Sequence, residues 1–293
     1  MSWQLAALNA VLLLREKPYL ARERDFVAGR ARMEREAALL PPPPGTAFRD
    51  AALGGLGALR VGPAAPVLLW FHGGAFVIGS PRTHGAMVAA LAQRAGIGAV
   101  LPDYRLAPEH PFPAAVEDAR AAWTALLREG IDPASVVVGG DSAGGGLALG
   151  LLAALVAEGR ALPGGVVAFS PWCDLTGTCA SLRSLAWRDV LIPVRRFAEI
   201  RDLYLGGADP RDPRASPILA RFRGGPPVFL QSSRAEVLRD DARAMARRLV
   251  EDGVAVEHDE WAGVPHVWQM YQGKVPEADR ALDRAAAFVR QVL

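Results

Sequence analysis

Val136-Val137-Val138-Gly139-Gly140-Asp141-Ser142-Ala143-Gly144-Gly145-Gly146 decides how the chain is read. A β-branched run ends in glycine, a serine follows, and more glycine comes after it. Leu147-Ala148-Leu149-Gly150-Leu151-Leu152-Ala153-Ala154-Leu155 then has a helix former's composition. Strand, sharp turn and helix fit into about twenty residues. The turn itself, Gly140-Asp141-Ser142-Ala143-Gly144, has the G-x-S-x-G spacing of a nucleophile elbow. The spacing has a physical reason. The serine backbone must be strained for its Oγ to project above the sheet, and flanking glycines let strand and helix approach closely. In a chain with 30 glycines the pattern alone is weak, and the strand before and helix after it give it weight.

Working outward, Pro66-Val67-Leu68-Leu69-Trp70-Phe71 reads as a buried strand that runs into His72-Gly73-Gly74-Ala75-Phe76. Further strands are predicted at 98–101, 165–169, 227–231 and 254–257. Weaker ones fall at 46–49 and 56–61, and helices at 83–95, 113–129 and 278–293. This alternation argues an α/β fold with a mostly parallel sheet and helices on both faces. Ligands in such sheets sit at the carboxyl ends of strands, and Ser142, Glu236 and His266 all follow predicted strands. Their order, serine then acid then histidine, is that of an α/β-hydrolase. In that reading His266 takes the proton of Ser142 as Oγ attacks a carbonyl, and Glu236 fixes the imidazole tautomer. Backbone N–H groups of Gly74, Ala75 and Ala143 receive the oxyanion, on a loop led by His72 and Gly73. Asp240 and Asp241 are rivals for the acid, but both fall where a helix begins and the dipole favours carboxylates. Of the other histidines, His84 and His110 precede the elbow and His258 lies within a strand pattern.

Composition bounds the rest. The 293 residues are 51% apolar and 22% charged, an ordinary globular balance. A net charge of +2 without a basic stripe excludes nucleic acid as a partner. No run of 18 apolar residues, no leader and no zinc spacing are found, and neither a P-loop nor a G-x-G-x-x-G turn is present. No metal or cofactor is therefore expected. Cys173 and Cys179 read as free thiols of a reducing, cytoplasmic compartment.

Residues 1 to about 40 have a helical pattern. Trp3, Leu5, Leu8, Val11, Leu12 and Leu14 are expected to form one apolar face, and a second helix is expected from Leu20 to Leu40. They are either a packing pair or a lid over a pocket. Pro41-Pro42-Pro43-Pro44-Gly45 is a stiff spacer that marks a boundary. After Phe169 a segment running to about Gly225 is too long for a plain crossover, and a second part of a lid explains it. Trp187, Phe197 and Tyr204 are candidates to line a pocket there. Asp103, Arg105 and Glu109 are expected to pair with one another or with the elbow backbone.

With these pieces assembled, the chain resembles the hormone-sensitive-lipase-like esterases with a G-D-S-A-G elbow. The matching stretches are His72 to Phe76, Asp103 to Ala115, Gly140 to Gly145, Ser170-Pro171-Trp172-Cys173-Asp174-Leu175-Thr176, and the acid and histidine segments. The resemblance implies an eight-stranded core sheet and carboxylesterase activity on short acyl esters. It also implies a helical cap built from residues 1–45 and an insertion at about 180–222, on a catalytic domain of residues 46–293. Two departures stand out: Ala75 replaces the family's usual third glycine, and Glu236 its usual aspartate. A ligand-binding protein on the same scaffold and an amide or lactone hydrolase are the rival readings; the presence of His266 counts against the first. Oligomeric state, a homodimer included, is open.

Overall fold

Eight strands form one sheet in the order β1-β2-β4-β3-β5-β6-β7-β8, as seen in a computed structural model that describes residues 1–293. β1 (Phe48–Leu53) and β2 (Leu56–Val61) make an antiparallel hairpin, and β2 is also antiparallel to β4 (Gly98–Pro102). From β4 through β3 (Val67–Phe71), β5 (Val136–Asp141), β6 (Gly165–Phe169), β7 (Val228–Ser233) and β8 (Val256–Trp261), every neighbouring pair is parallel. The cause is local. β3, β5 and β6 are buried at every position, and such near-continuous apolar runs need cover on both faces. Helices α4 (Pro81–Ala95) and α10 (Pro276–Val292) cover one face, and α5 (Ala114–Arg128), α6 (Ala143–Ala157) and α9 (Arg239–Glu251) the other. α4 begins at a capping box between Ser80 and Thr83 with Pro81 in its first turn.

β5 passes into α6 through Ser142 alone, whose backbone sits at φ +52° and ψ −120°. The two flanking glycines are there for space. A Cβ on Gly140 would lie 2.2 Å from the Gly144 carbonyl oxygen, and one on Gly144 would lie 2.0 Å from that of Phe71.

The amino-terminal region departs from expectation. α1 (Trp3–Val11) continues through a π turn at Leu12–Glu16 into α2 (Lys17–Leu20). The six apolar residues do not share one buried face. Leu5 and Leu8 pack on Val264, Trp268, Val275, Ala278 and Ala281, and Leu12 is also buried, whereas Trp3, Val11 and Leu14 are exposed. α3 runs over Phe26–Ala37 and not from Leu20, because the Asp25 side chain caps it by accepting from the Ala28 N–H.

The loop after β4 differs too. Arg105 pairs with Asp118 and Glu117 of α5, and Glu109 pairs with Arg30 of α3, so these two charges anchor the loop outward instead of to each other, and the Asp103 carboxylate pairs with neither. The insertion after β6 carries α7 (Ser181–Ser184) and α8 (Phe197–Leu205). It is joined to the amino-terminal segment by polar contacts. Lys17 Nζ donates to the carbonyls of Ala186 (2.8 Å) and Asp189 (2.5 Å), Arg195 to that of Ala21, and Arg196 to those of Leu20 and Glu23. Both cysteines are free.

Gly144→Ala and Gly29→Ala are expected to move stability in opposite directions. At Gly144 the methyl group collides with backbone and should cost at least about 2 kcal/mol. In α3 a methyl group on Gly29 meets Ile78 at an ordinary 3.6 Å, so helix propensity should add about 1 kcal/mol. Denaturant midpoints with unchanged slopes check both.

Candidate active site

Ser142 is held in its strained turn from three directions. Its N–H donates to the Phe169 carbonyl at 2.8 Å, and its own carbonyl accepts from Gly146 (3.1 Å) and Trp172 (2.9 Å). The end of β6 therefore fixes the elbow. The same end fixes the histidine loop. Ser170, next after Phe169, accepts through Oγ from the Val267 N–H at 3.3 Å. Ser142 and Val267, the residue after His266, are thus each bonded to consecutive residues of one strand end, although 125 positions apart in the chain.

His266 Nδ1 lies 2.6 Å from Glu236 Oε2, with both side chains almost wholly buried. The other carboxylate oxygen accepts from the Ser233 N–H at 2.6 Å, so the acid is orientated at both ends. Burial acts to lower the imidazole pKa, but the hydrogen bond and charge of Glu236, with the charges of Asp189 and Asp141, outweigh it and raise it above the ordinary 6.5. Asp240 and Asp241 are occupied elsewhere: Asp240 accepts from the Ser181 N–H, and Asp241 from those of Cys173 and Asp174.

The loop after β3 turns sharply, with Gly74, Ala75 and Phe76 at φ +119°, +54° and +63°. The Gly74 carbonyl accepts from Val77 and Ile78, both at 3.0 Å, while the N–H groups of Gly74, Ala75 and Ala143 donate to no other group of the chain. Ala75 does adopt the backbone that a third glycine would find easy. Behind this loop His72 is buried; its Nδ1–H donates to the Gly73 carbonyl at 2.8 Å, its ring stacks on Tyr104, and Tyr104 Oη donates to its carbonyl. Burial, helped by neighbouring His84, drives its pKa down to about 3, so it is a neutral structural ring.

Two features were not read from the sequence. Asp141, inside the elbow motif itself, accepts from Trp70 Nε1 at 3.0 Å and meets His84 Nε2 at 3.2 Å. Burial pushes its pKa up, but His84, Trp70 and His72 together hold it below the usual carboxylate value. Its place beside the serine was the available signal. Asp189 of the insertion accepts from the Val237 N–H at 2.9 Å, directly after Glu236, and from those of Leu191 and Ile192. A lone aspartate in a polar insertion gives no such signal. Of the aromatic candidates, Tyr204 is buried and stacks on Phe76 at 3.8 Å, Phe197 packs on Trp172, and Trp187 is exposed.

Residues 68–270 match the model of a family with the alpha/beta hydrolase fold. The chain belongs to that family. An acetyl-hydrolase of Streptomyces hygroscopicus is 43% identical over 223 residues, 76% of this chain and 75% of the relative. The crystal structure of an esterase from the bacterial hormone-sensitive lipase family superposes with a TM-score of 0.93 at 38% identity, covering 99% and 98% of the two chains. EstE5, in a crystal soaked with p-nitrophenyl butyrate, gives 0.94 at 34% identity over 100% and 99%. This α/β-hydrolase is accordingly a carboxylic ester hydrolase of the hormone-sensitive lipase family. No helix of the hydrolase is long and apolar enough to cross a membrane.

Asp189→Ala would leave three backbone N–H groups of the hydrolase without their acceptor. Unfolding free energy is expected to fall by at least about 2 kcal/mol, read from the denaturant midpoint. A change within about 0.5 kcal/mol would mean that these bonds are replaced by water.

Proposed function

We propose that the enzyme hydrolyses short-chain acyl esters through an acyl-enzyme on Ser142, with His266 as general base and acid and Glu236 as its orienting carboxylate. The observation that carries this is the 2.6 Å contact between His266 Nδ1 and Glu236 Oε2, which leaves Nε2 as the ring nitrogen available to take the serine's proton. In the first half-reaction Oγ attacks the ester carbonyl and its proton passes to Nε2. The imidazolium formed is stabilised by the buried carboxylate. Negative charge on the carbonyl oxygen is met by the free N–H groups of Gly74, Ala75 and Ala143, with the amino-terminal dipole of α6 behind the last. Protonation of the alkoxide by His266 releases the alcohol. Water, deprotonated by the same nitrogen, then frees the acid.

Short acyl groups are favoured by two supports. Relatives named acetyl-hydrolase and esterase share most of the chain. Phe76, Trp172, Phe197 and Tyr204 interlock in one aromatic cluster, tied to the elbow by the Trp172 N–H on the Ser142 carbonyl, and in this reading that cluster is the wall that limits the acyl chain. Residues 1–45 and the segment at about 180–222 act in this reading as a two-part cap.

Ser142→Ala is expected to lower p-nitrophenyl acetate and butyrate turnover by about 10⁴-fold or more while the thermal midpoint holds. A sulfonyl fluoride should add mass to the wild type and not to the variant. An active Ser142→Ala overturns the mechanism.

The base works only when neutral, so kcat/KM should rise with pH through the raised pKa of His266, giving an acid limb centred above 6.5. Glu236→Gln removes the largest influences that raise that pKa and leaves burial to lower it. The limb should then shift to lower pH while kcat falls.

A further inference from the structure

α1 is covered on one side only. From Met1 to Leu14 the chain has no charged side chain, and a helix apolar on all sides is ordinarily buried. Here Leu5, Leu8 and Leu12 face the protein, while Trp3, Ala6, Ala7, Ala10, Val11, Leu13 and Leu14 face outward. The outward positions recur at helical spacing, so they make one continuous stripe. It is a strongly exposed one: Trp3 is 76% and Leu14 73% accessible. At its carboxyl end, Lys17 grips the carbonyls of Ala186 and Asp189, and between them stands Trp187, also 73% accessible, with the Arg188 guanidinium over its ring.

The unpaired charges bordering the stripe are predominantly positive. Arg15, Arg22 and Arg188 are exposed and enter none of the ion pairs of the structure. Of the nearby acids, Glu16 is paired with Arg32, and Glu23 accepts from the Asp25 N–H and keeps its charge, one carboxylate against three unpaired arginines. Leu14, Arg15 and Arg22 line one groove.

We propose that this face is a docking surface for an anionic lipid bilayer, with α1 lying in the plane of the interface. Exposed tryptophans beside free arginines suit a boundary where one end of a side chain is apolar and the other wet. Unpaired cations add attraction to anionic headgroups. A second copy fits less well. It would set arginine against arginine, because residues 1–14 offer no acidic side chain to receive them. The docked face is also tied to the acid loop through Asp189 and Val237. The proposal stands apart from the acyl-enzyme reading, since its readout is binding.

Flotation with vesicles tests it. The full chain should float with vesicles of equal parts phosphatidylglycerol and phosphatidylcholine, and not with phosphatidylcholine alone. The bound fraction should fall as salt is raised to about 0.5 M. Arg15→Ala and Arg22→Ala should each weaken partitioning about fivefold. The double variant Trp3→Glu with Leu14→Glu should stay in the pellet with an unchanged thermal midpoint, since both side chains are exposed. Absence of flotation with anionic vesicles overturns the proposal, as does flotation that these variants leave unaltered. A dimer in sedimentation that the double variant dissociates would assign the face to a second copy, and would overturn it equally.

Discussion

A serine at φ +52° occupies a backbone region that its own Cβ disfavours, at a cost of about 1–3 kcal/mol. The architecture around the elbow is what sustains that conformation. Phe169, Gly146 and Trp172 supply the three hydrogen bonds that over-determine it, and they come from β6, α6 and the first residues of the insertion. Gly140 and Gly144 allow those groups to be close enough to bond. A site that relied on one of these contacts would relax, and the nucleophile would turn away from the carboxyl edge of the sheet. With all three, the strain persists and aims Oγ outward.

The histidine side is built on the same economy of anchors. Val267 also sits at positive φ, +48°, and its N–H is held by Ser170. α1 presses on Val264 and Trp268 at either side of His266. Ser233 binds the Val264 carbonyl through Oγ while its N–H orients Glu236. One residue at the end of β7 therefore positions both the acid and the loop that carries the imidazole. A buried carboxylate beside a buried imidazole is costly to desolvate, and this framework of donors is what makes the pair affordable in the resting enzyme.

Much of this was legible because it was written in short-range chemistry. The β-branched runs of β3 and β5, the G-x-S-x-G turn and the serine–acid–histidine order each constrain only a few neighbouring residues. The facing of α1 was not legible. With no charged residue from Met1 to Leu14, its periodicity marks apolar positions without saying which are covered, so Trp3 and Leu14 were grouped with Leu5. The partners of Arg105 and Glu109 were equally out of reach. Proximity in sequence suggested mutual pairing, whereas the fold brings Asp118 and Arg30 to Arg105 and Glu109. Asp189 shows the limit most clearly, since its value comes from one N–H, that of Val237, 48 positions away.

That same contact makes the outer layer and the chemistry mechanically one object. Asp189 Oδ2 receives Val237 while its backbone carbonyl receives Lys17 Nζ, so a single residue links α2, the insertion and the loop of Glu236. Phe76 makes a second link, stacking on Tyr204 of α8 from the loop proposed to offer the oxyanion donors. Any displacement of the outer layer is therefore transmitted to the carboxylate at one point and to the N–H groups at another. In the proposed mechanism the transition state needs both in register to a fraction of an ångström, so side chains of the amino-terminal segment are expected to bear on turnover through these two links.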